Sequence, residues 1–592
     1  MIPRSLFSAL ALCGLGTASL LCLEEAPVLP AGWRKTDATP DPDQKLRLSF
    51  ALRQPNIDSV EKKIASREEN FGNHLSQEYA QSLRDPDQRD VDSVLEWLEK
   101  HGLAGKATAD RDWIHVKTTV HEAESLLNMA MNYFQFEDKK PVLRTQEYSV
   151  PEALHDAISF VHPIANFMRP TRELTTASTD MKSEMLNNPG ELDKRAAACY
   201  SIVTPACLKK LYNINYTPPD NKSSIRLGLA GFLEEYANYA DSDLFLKTLA
   251  PDLYAKGYNY TVQLIKGAEN LQDLSKSGGE AALDVQYAMA AGYPSNIIYY
   301  LAAGRGIKLD DDGKPLPEEE SNNEPYLEFL QYLLGLPDSE LPHVLSISYA
   351  DNEVSVPLPY AKRVCDLFGL LTGRGTTVLV ASGDGGAKGS SNSNCRTNDG
   401  SDKDVAMSVF PATCPWVTAV GAVTNTRDPP NGADFSGGGF SQYFQRPDWQ
   451  DAAVEGYVGE LNGFMSGYYS PKFRAVPDIS AVGSNFLVKQ GGTSILLRGT
   501  SASTPVLGAM IALINEARVR QGKPVLGWLN KKLYSKEVRD VLQDITAGQS
   551  LSCNFRRGGL VGGWPAKKGW DAITGLGVPY DFQKFFDVLV NL

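Results

Sequence analysis

From Ala196 onward, short apolar runs alternate with helical segments, and no other feature of the 592-residue chain restricts its fold as strongly. Ile225 to Ala230, Val344 to Ser348, Thr377 to Ala381 and Val417 to Val420 are near-continuous strands of apolar residues. The segments Leu283 to Ala291 and Tyr360 to Leu371 carry helical periodicity between some of them. Strands that are apolar on both faces and separated by helices predict a parallel sheet covered on both sides. An α/β domain of about 400 residues follows, large enough to bury an extensive core.

The preceding stretch, from about 45 to 165, has a different pattern. Leu46 to Phe50 alternates as a strand, Ile57 to Glu69 and Val91 to His101 are helical with Gly102 as a stop, and Trp113 to Val120 is a second strand. This resembles a split βαβ unit. Between the two regions, Met168 to Ala198 is polar and lacks apolar periodicity. It contains Pro170, Pro189 and Gly190 and ends near Lys194-Arg195, so it predicts an exposed linker with a dibasic cleavage site.

The amino-terminal residues have Arg4 followed by an apolar run from Leu6 to Leu23 rich in small residues, then Glu24 and Glu25, as expected of a cleaved signal peptide over 1–25. A membrane anchor is the alternative, but no other long uncharged run follows. Six cysteines remain after it: Cys199, Cys207, Cys365, Cys395, Cys414 and Cys553. An even count behind an export signal predicts three disulfides, with the pairing left open by sequence. Three glycosylation sequons, at Asn215, Asn221 and Asn259, agree with secretion. A net charge of −13 gives no basic field for a nucleic acid, and a soluble, secreted monomer is expected.

Three motifs carry chemistry. Gly499-Thr-Ser-Ala-Ser-Thr-Pro505 lies between the strand candidate Ile495 to Leu497 and a long amphipathic helix running to about Gln521. A serine there sits at a helix N-terminus, where free N–H groups favour a developing oxyanion, so Ser501 is the candidate nucleophile; simple helix capping is the competing role. Such a serine needs a base. Of seven histidines only His343 lies beyond the dibasic site, in a strand-edge context typical of a structural residue. Glu280 and Asp284, in Gly278-Gly-Glu-Ala-Ala-Leu-Asp-Val-Gln-Tyr287, share one helical face. As two solvated acids they would repel, but buried together they would share a proton in mild acid, one accepting the serine proton and the other orienting it. Asp384, in Ser382-Gly-Asp-Gly-Gly386 after an apolar strand, can stay protonated and donate to an oxyanion, or serve as a turn residue.

Together these motifs resemble the sedolisin family of serine-carboxyl peptidases, and especially its fungal tripeptidyl peptidases. The resemblance extends to Phe71-Gly-Asn-His-Leu-Ser76, Thr204-Pro-Ala-Cys-Leu-Lys-Lys-Leu-Tyr212, Phe410-Pro-Ala412, Phe435-Ser-Gly-Gly-Gly-Phe440 and Pro477-Asp-Ile-Ser-Ala481, in the family's order. It implies a subtilisin-like catalytic domain over 199–592 behind a ferredoxin-like activation prodomain over 26–167, joined by the linker 168–198. It also implies that Glu280 is the base toward Ser501, Asp284 its support and Asp384 the oxyanion acid. Substrates would be peptides or proteins lying across Phe435 to Gly439, with the prodomain as inhibitor. One structural calcium ion would be held by Asp544, Ile545, Lys567, Gly569 and Asp571; the family often has glycine where Lys567 stands. The implied disulfides are Cys395 to Cys553 and Cys199 to Cys207, leaving Cys365 with Cys414. Release of amino-terminal tripeptides, internal cleavage, and an inactive peptide-binding relative are the functional alternatives. A neutral histidine-dependent hydrolase is more distant.

Overall fold

The protein was analysed as a computed structural model, which describes residues 19–25, 33–57, 73–136, 141–162, 164, 199–306, 324–390, 395–397, 402–425, 429–556 and 558–592. The expected helix after Ile57 and the linker with Lys194-Arg195 lie outside these residues. The chain divides into two compact units, one of residues 1–57 and 83–169, the other of 58–82 and 170–592.

The first unit holds a four-stranded antiparallel sheet built from β1 (Lys45–Leu52), β2 (Ala107–Asp110), β3 (Trp113–Thr119) and β4 (Ile158–His162) in the order β2-β3-β1-β4. Two helices fill the connections, α1 (Gln88–Lys100) and α2 (Val120–Leu127). That order, with a helix crossing before β2 and another after β3, is the ferredoxin-like arrangement expected from the sequence. Asp87 caps α1, and a Thr119/Glu122 capping box starts α2. Leu48, Phe50, Val94, Leu98, Ile114 and Val116 are all fully buried and form its core. Leu20–Glu25, at the end of the segment expected to be a signal peptide, forms a strand paired with Glu147–Pro151.

The second unit is the predicted parallel-sheet domain. Its strands are β5 (Arg226–Gly231), β6 (Thr261–Ile265), β7 (Asn296–Ala302), β8 (Val344–Ile347), β9 (Thr377–Ala381), β10 (Thr418–Thr424), β11 (Asn431–Gly432) and β12 (Ile479–Val482). They run in the order β6-β7-β5-β8-β9-β10-β11, with β12 paired to β10, and all pairings are parallel except β10 with β11. Every residue of β8 and β9 is buried, which is why these strands are apolar throughout instead of alternating.

Helices α3 (Gly279–Gly292), α4 (Tyr326–Gly335), α5 (Leu358–Gly373) and α6 (Thr500–Arg520) accompany the sheet. The sequence suggests an amphipathic α6. The structure corrects this: Ala502 to Arg518 is buried on every side, because α6 lies between the sheet and α3. Buried Leu, Ile and Met side chains such as Met510, Ile511, Leu513 and Ile514 each contribute about 1.5–3 kcal/mol. Small residues bring α3 and α6 together, since a Cβ added at Gly292 would already touch Ala509 Cβ at 3.4 Å. The run Ile495–Leu497 is a strand, but it belongs to a separate hairpin, Phe486–Gln490 with Thr493–Leu497, outside the main sheet. Three disulfides form, Cys199–Cys207, Cys365–Cys414 and Cys395–Cys553. Asn215, Asn221 and Asn259 are exposed.

Candidate active site

The C-terminal ends of β8 and β9, the first turn of α3 and the first turn of α6 converge on one place. Chain direction explains this: in a parallel sheet all strands deliver their following loops to the same edge. Ser348 follows β8, Ser382-Gly383-Asp384 follows β9, Glu280 and Asp284 lie one turn apart on α3, and Ser501 is in the first turn of α6. Glu280, Asp384 and Ser501 each retain some exposure, whereas Asp284 is fully enclosed. The three side chains expected to touch substrate are therefore partly accessible, whereas Asp284 is sealed.

Glu280 Oε1 and Asp284 Oδ2 are buried without a hydrogen-bond partner. Burial raises the pKa of Glu280 well above the usual carboxylate range, helped by the negative charges of Asp284, Glu235 and Asp384, while the Ser501 hydroxyl acts against the shift. Burial raises Asp284 in the same direction, opposed by the Ser348 hydroxyl, which donates to Asp284 Oδ1 at 2.8 Å. With both carboxyls raised by burial on one helix face, the doubly ionised pair is disfavoured in this low-dielectric setting. The Ser501 hydroxyl donates to the Ser348 carbonyl at 3.2 Å and lies beside Glu280.

Asp384 is held by Thr500, whose backbone N–H and hydroxyl both donate to Oδ1 at 2.8 Å. Its other oxygen faces Gly499, where an added Cβ would come within 2.6 Å of Oδ2, so glycine is required immediately ahead of the nucleophile turn. Burial raises the pKa of Asp384, with Thr500 and the nearby Arg498 opposing the change. A protonated Oδ2 is the donor that an oxyanion at Ser501 would need.

Glu235 has no local motif and escapes sequence reasoning, yet it completes the site. Its Oε2 accepts the backbone N–H groups of Glu280 at 3.1 Å and Ala281 at 3.4 Å, capping α3 in place of Gly278, which has no side chain to do so. A Cβ on Gly278 would lie 2.1 Å from Glu235 Oε2, so this glycine makes room for the remote cap. The pairing of a helix start with two bare glycines is the only sequence signal that a distant residue must supply the cap.

His343 is not part of the cluster. It precedes β8, at the opposite end of the strand from Ser348, roughly 17 Å away across five residue steps. Its Nδ1 accepts the Arg226 N–H at 3.0 Å, and burial with help from Arg226 lowers its pKa to about 4. The run Phe435 to Gly439, expected to lie along substrate, packs closely against neighbouring loops. It is buried, and its glycines meet the protein's own backbone: a Cβ on Gly437 would lie 2.3 Å from the Ser382 carbonyl oxygen and one on Gly438 2.0 Å from that of Ala572. The run therefore braces the Asp384 loop, with the Gly437 N–H donating to Gly383 O at 2.7 Å.

The residues expected to hold calcium are neighbours. The Gly569 N–H donates to Asp544 Oδ2 at 2.8 Å, which places Asp544 against the 567–571 loop. Asp571 is fully buried and accepts the N–H groups of Ile573 and Thr574 and the Thr574 hydroxyl, with no cationic side chain paired to it among the described residues. A buried carboxylate lacking a counter-charge, beside a second carboxylate and an irregular backbone loop, fits a hard cation bound through oxygen.

Residues 31–167 match the activation domain of pro-kumamolisin, and 320–558 match the subtilase family. Tripeptidyl-peptidase SED2 of Arthroderma otae is 37% identical over 586 residues, covering 96% of each chain. Tripeptidyl-peptidase SED4 of the same organism is 37% identical over 574 residues, covering 94% of this chain and 92% of that one. Among solved structures, a Pseudomonas sedolisin, a serine-carboxyl proteinase complexed with two molecules of pseudo-iodotyrostatin, aligns with 66% of this chain and 98% of its own at 20% identity and a TM-score of 0.48.

Proposed function

Since the chain belongs to the sedolisin family of serine peptidases, as do the tripeptidyl-peptidases it matches over nearly its full length, we propose that it is a secreted acid peptidase that releases tripeptides from free amino termini. The observation that carries the mechanism is the enclosed, unpartnered pair Glu280 Oε1 and Asp284 Oδ2 beside Ser501, at the end of the sheet remote from His343.

In this mechanism Ser501 Oγ rotates from the Ser348 carbonyl toward Glu280, gives up its proton to that carboxylate and attacks the scissile carbonyl carbon. Asp384 donates a hydrogen bond to the oxygen that becomes negative, and Thr500 holds its other oxygen in place. Glu280 returns the proton to the leaving amine, and the acyl-serine is cleared by water through the same groups. Asp284 keeps Glu280 oriented and shares its charge. The active form has Glu280 able to accept while Asp384 is protonated, so activity falls as rising pH ionises Asp384. When bound, calcium would supply positive charge to Asp544 and Asp571 with the carbonyls of Ile545, Lys567 and Gly569, fixing the C-terminal loops. Secretion is supported by the apolar amino-terminal run, three disulfides and exposed sequons. No helix among the described residues is long and apolar enough to cross a membrane.

The test is to incubate the matured protein with free and N-terminally blocked peptides from pH 3 to 7 and identify products by mass. Tripeptides from free ends only are expected, with Glu280→Gln reducing kcat at least a hundredfold. Internal fragments from blocked peptides would overturn the tripeptidyl mode, and parental rates in a folded, matured Glu280→Gln protein would overturn the carboxylate base.

A further inference from the structure

Residues 73–82 fall within the stretch matched by the activation-domain family, yet they group with the peptidase unit. Within that unit the His74 ring fills a slot between two glycines. A Cβ added at Gly375 would lie 2.8 Å from His74 Cδ2, and one at Gly527 2.8 Å from Cε1; both glycines have positive φ, +100° and +65°. His74 Nε2 is 3.0 Å from the Val525 carbonyl oxygen, an atom that can only accept, so this nitrogen carries the proton in the docked state.

The residues after His74 extend the attachment. The Leu75 N–H donates to Gly373 O at 2.7 Å and its side chain is buried. From the short helix Gln77–Ser82, Gln77 Nε2 donates to Gly335 O at 2.8 Å and Gln81 Nε2 to Leu334 O at 2.7 Å. Gly373 and the Leu334-Gly335 pair end α5 and α4, where carbonyls lack partners inside the helix. The segment thus uses acceptors that a helix terminus leaves available. Gly375 lies just before β9 and Asp384 just after it, so attachment and chemistry are on opposite edges of the sheet, separated by roughly 17 Å of strand.

We propose that the slot between Gly375 and Gly527, with the carbonyls of Leu334, Gly335, Gly373 and Val525, is an anchoring surface for the chain's own 73–82 segment, and that its imidazole makes this anchor release in acid. The inference rests on residues 26–167 acting as an activation domain, and it places this anchor at the sheet edge opposite Asp384.

The charges around the ring oppose a second proton on it. Arg518 near the end of α6 acts against a positive imidazole, and His343 ahead of β8, with its pKa lowered to about 4, is neutral at pH 5 to 7. Lys523 is turned to Val590 O, and Arg374 is held by Asp338 and the carbonyls of Leu334 and Leu336. Burial, the largest influence, and Arg518 lower the His74 pKa, while the Val525 carbonyl works the other way. The docked state therefore takes up a proton less readily than the free segment. Docking is complete at neutral pH and weakens, by up to about tenfold per pH unit, as pH falls below the ordinary histidine value near 6.5 and until the docked ring itself protonates.

Hydrogen exchange in the full chain carrying Ser501→Ala, which prevents self-cleavage, tests this directly. The protection factor of the Leu75 amide, corrected for intrinsic exchange, should fall several-fold between pH 7 and 5. With His74→Gln added, protection should stay flat across that range. Protection unchanged with pH in the Ser501→Ala chain overturns the proposal, as does the same fall in the Gln variant. In the active chain His74→Gln should slow conversion to the mature form at pH 5 several-fold and leave kcat/KM of the matured enzyme unchanged. Conversion at the parental rate overturns the proposal without touching the peptidase assignment.

Discussion

Glu353 gives the sharpest link between this structure and pH. It lies in the loop after β8 with no solvent exposure, and its carboxylate accepts the Ser441 hydroxyl at 2.7 Å and the Gln442 N–H. Ser441 Oγ in turn accepts the N–H groups of Tyr443 and Phe444, so one buried acid ties the Ser348-bearing loop to the 441–444 segment. Burial is the largest influence and raises its pKa from 4.5 to about 7, with Thr413, Gln442, Ser441 and Tyr443 as donors opposing it. The folded state therefore binds this proton more tightly than the unfolded chain. The corresponding stability is fully present below about pH 4.5 and is lost as pH rises through about 7. At about 1.4 kcal/mol per pH unit, the loss is about 3 kcal/mol. Glu353→Gln keeps the volume and an acceptor but cannot titrate. Urea unfolding of the Ser501→Ala chain, followed by tryptophan fluorescence, should show the Glu353 protein losing about 3 kcal/mol more than the Glu353→Gln protein between pH 4.5 and 7.5. Two pH–stability curves running parallel would refute the reasoning.

Two further outcomes follow from the site. Glu235 raises the Glu280 pKa by its negative charge; Glu235→Gln should move the acid limb of the kcat/KM profile to lower pH by up to about one unit, with a smaller loss of rate from the weakened α3 cap, and a limb that stays in place or moves up would contradict it. Chelation of calcium should lower the unfolding temperature of the matured protein by several degrees, and Asp571→Asn should abolish that response; an unresponsive parental protein would argue against the site.

Much of the site was legible because its chemistry is written in short local motifs. Ser501 stands out by its Gly-Thr-Ser-Ala-Ser context at a helix start, Glu280 and Asp284 by helical spacing, and Asp384 by following an apolar strand. A remote carboxylate such as Glu235 has no spacing rule to reveal it. The amphipathic expectation for α6 failed because helical periodicity predicts one buried face, and α6 has neighbours on all sides. The sequence shows that 437–439 are glycines; only the coordinates show that Gly437 and Gly438 pack against the carbonyls of Ser382 and Ala572.

The sequence alone determined the two-part architecture and singled out the candidate site residues, since apolar runs and motif spacing depend on neighbours along the chain. The tertiary structure decided which acid caps α3, which end of the sheet receives His343 and His74, and that Asp284 is sealed while Glu280 keeps some exposure. These are matters of through-space burial and charge, set by residues far apart in the chain, and no local pattern encodes them.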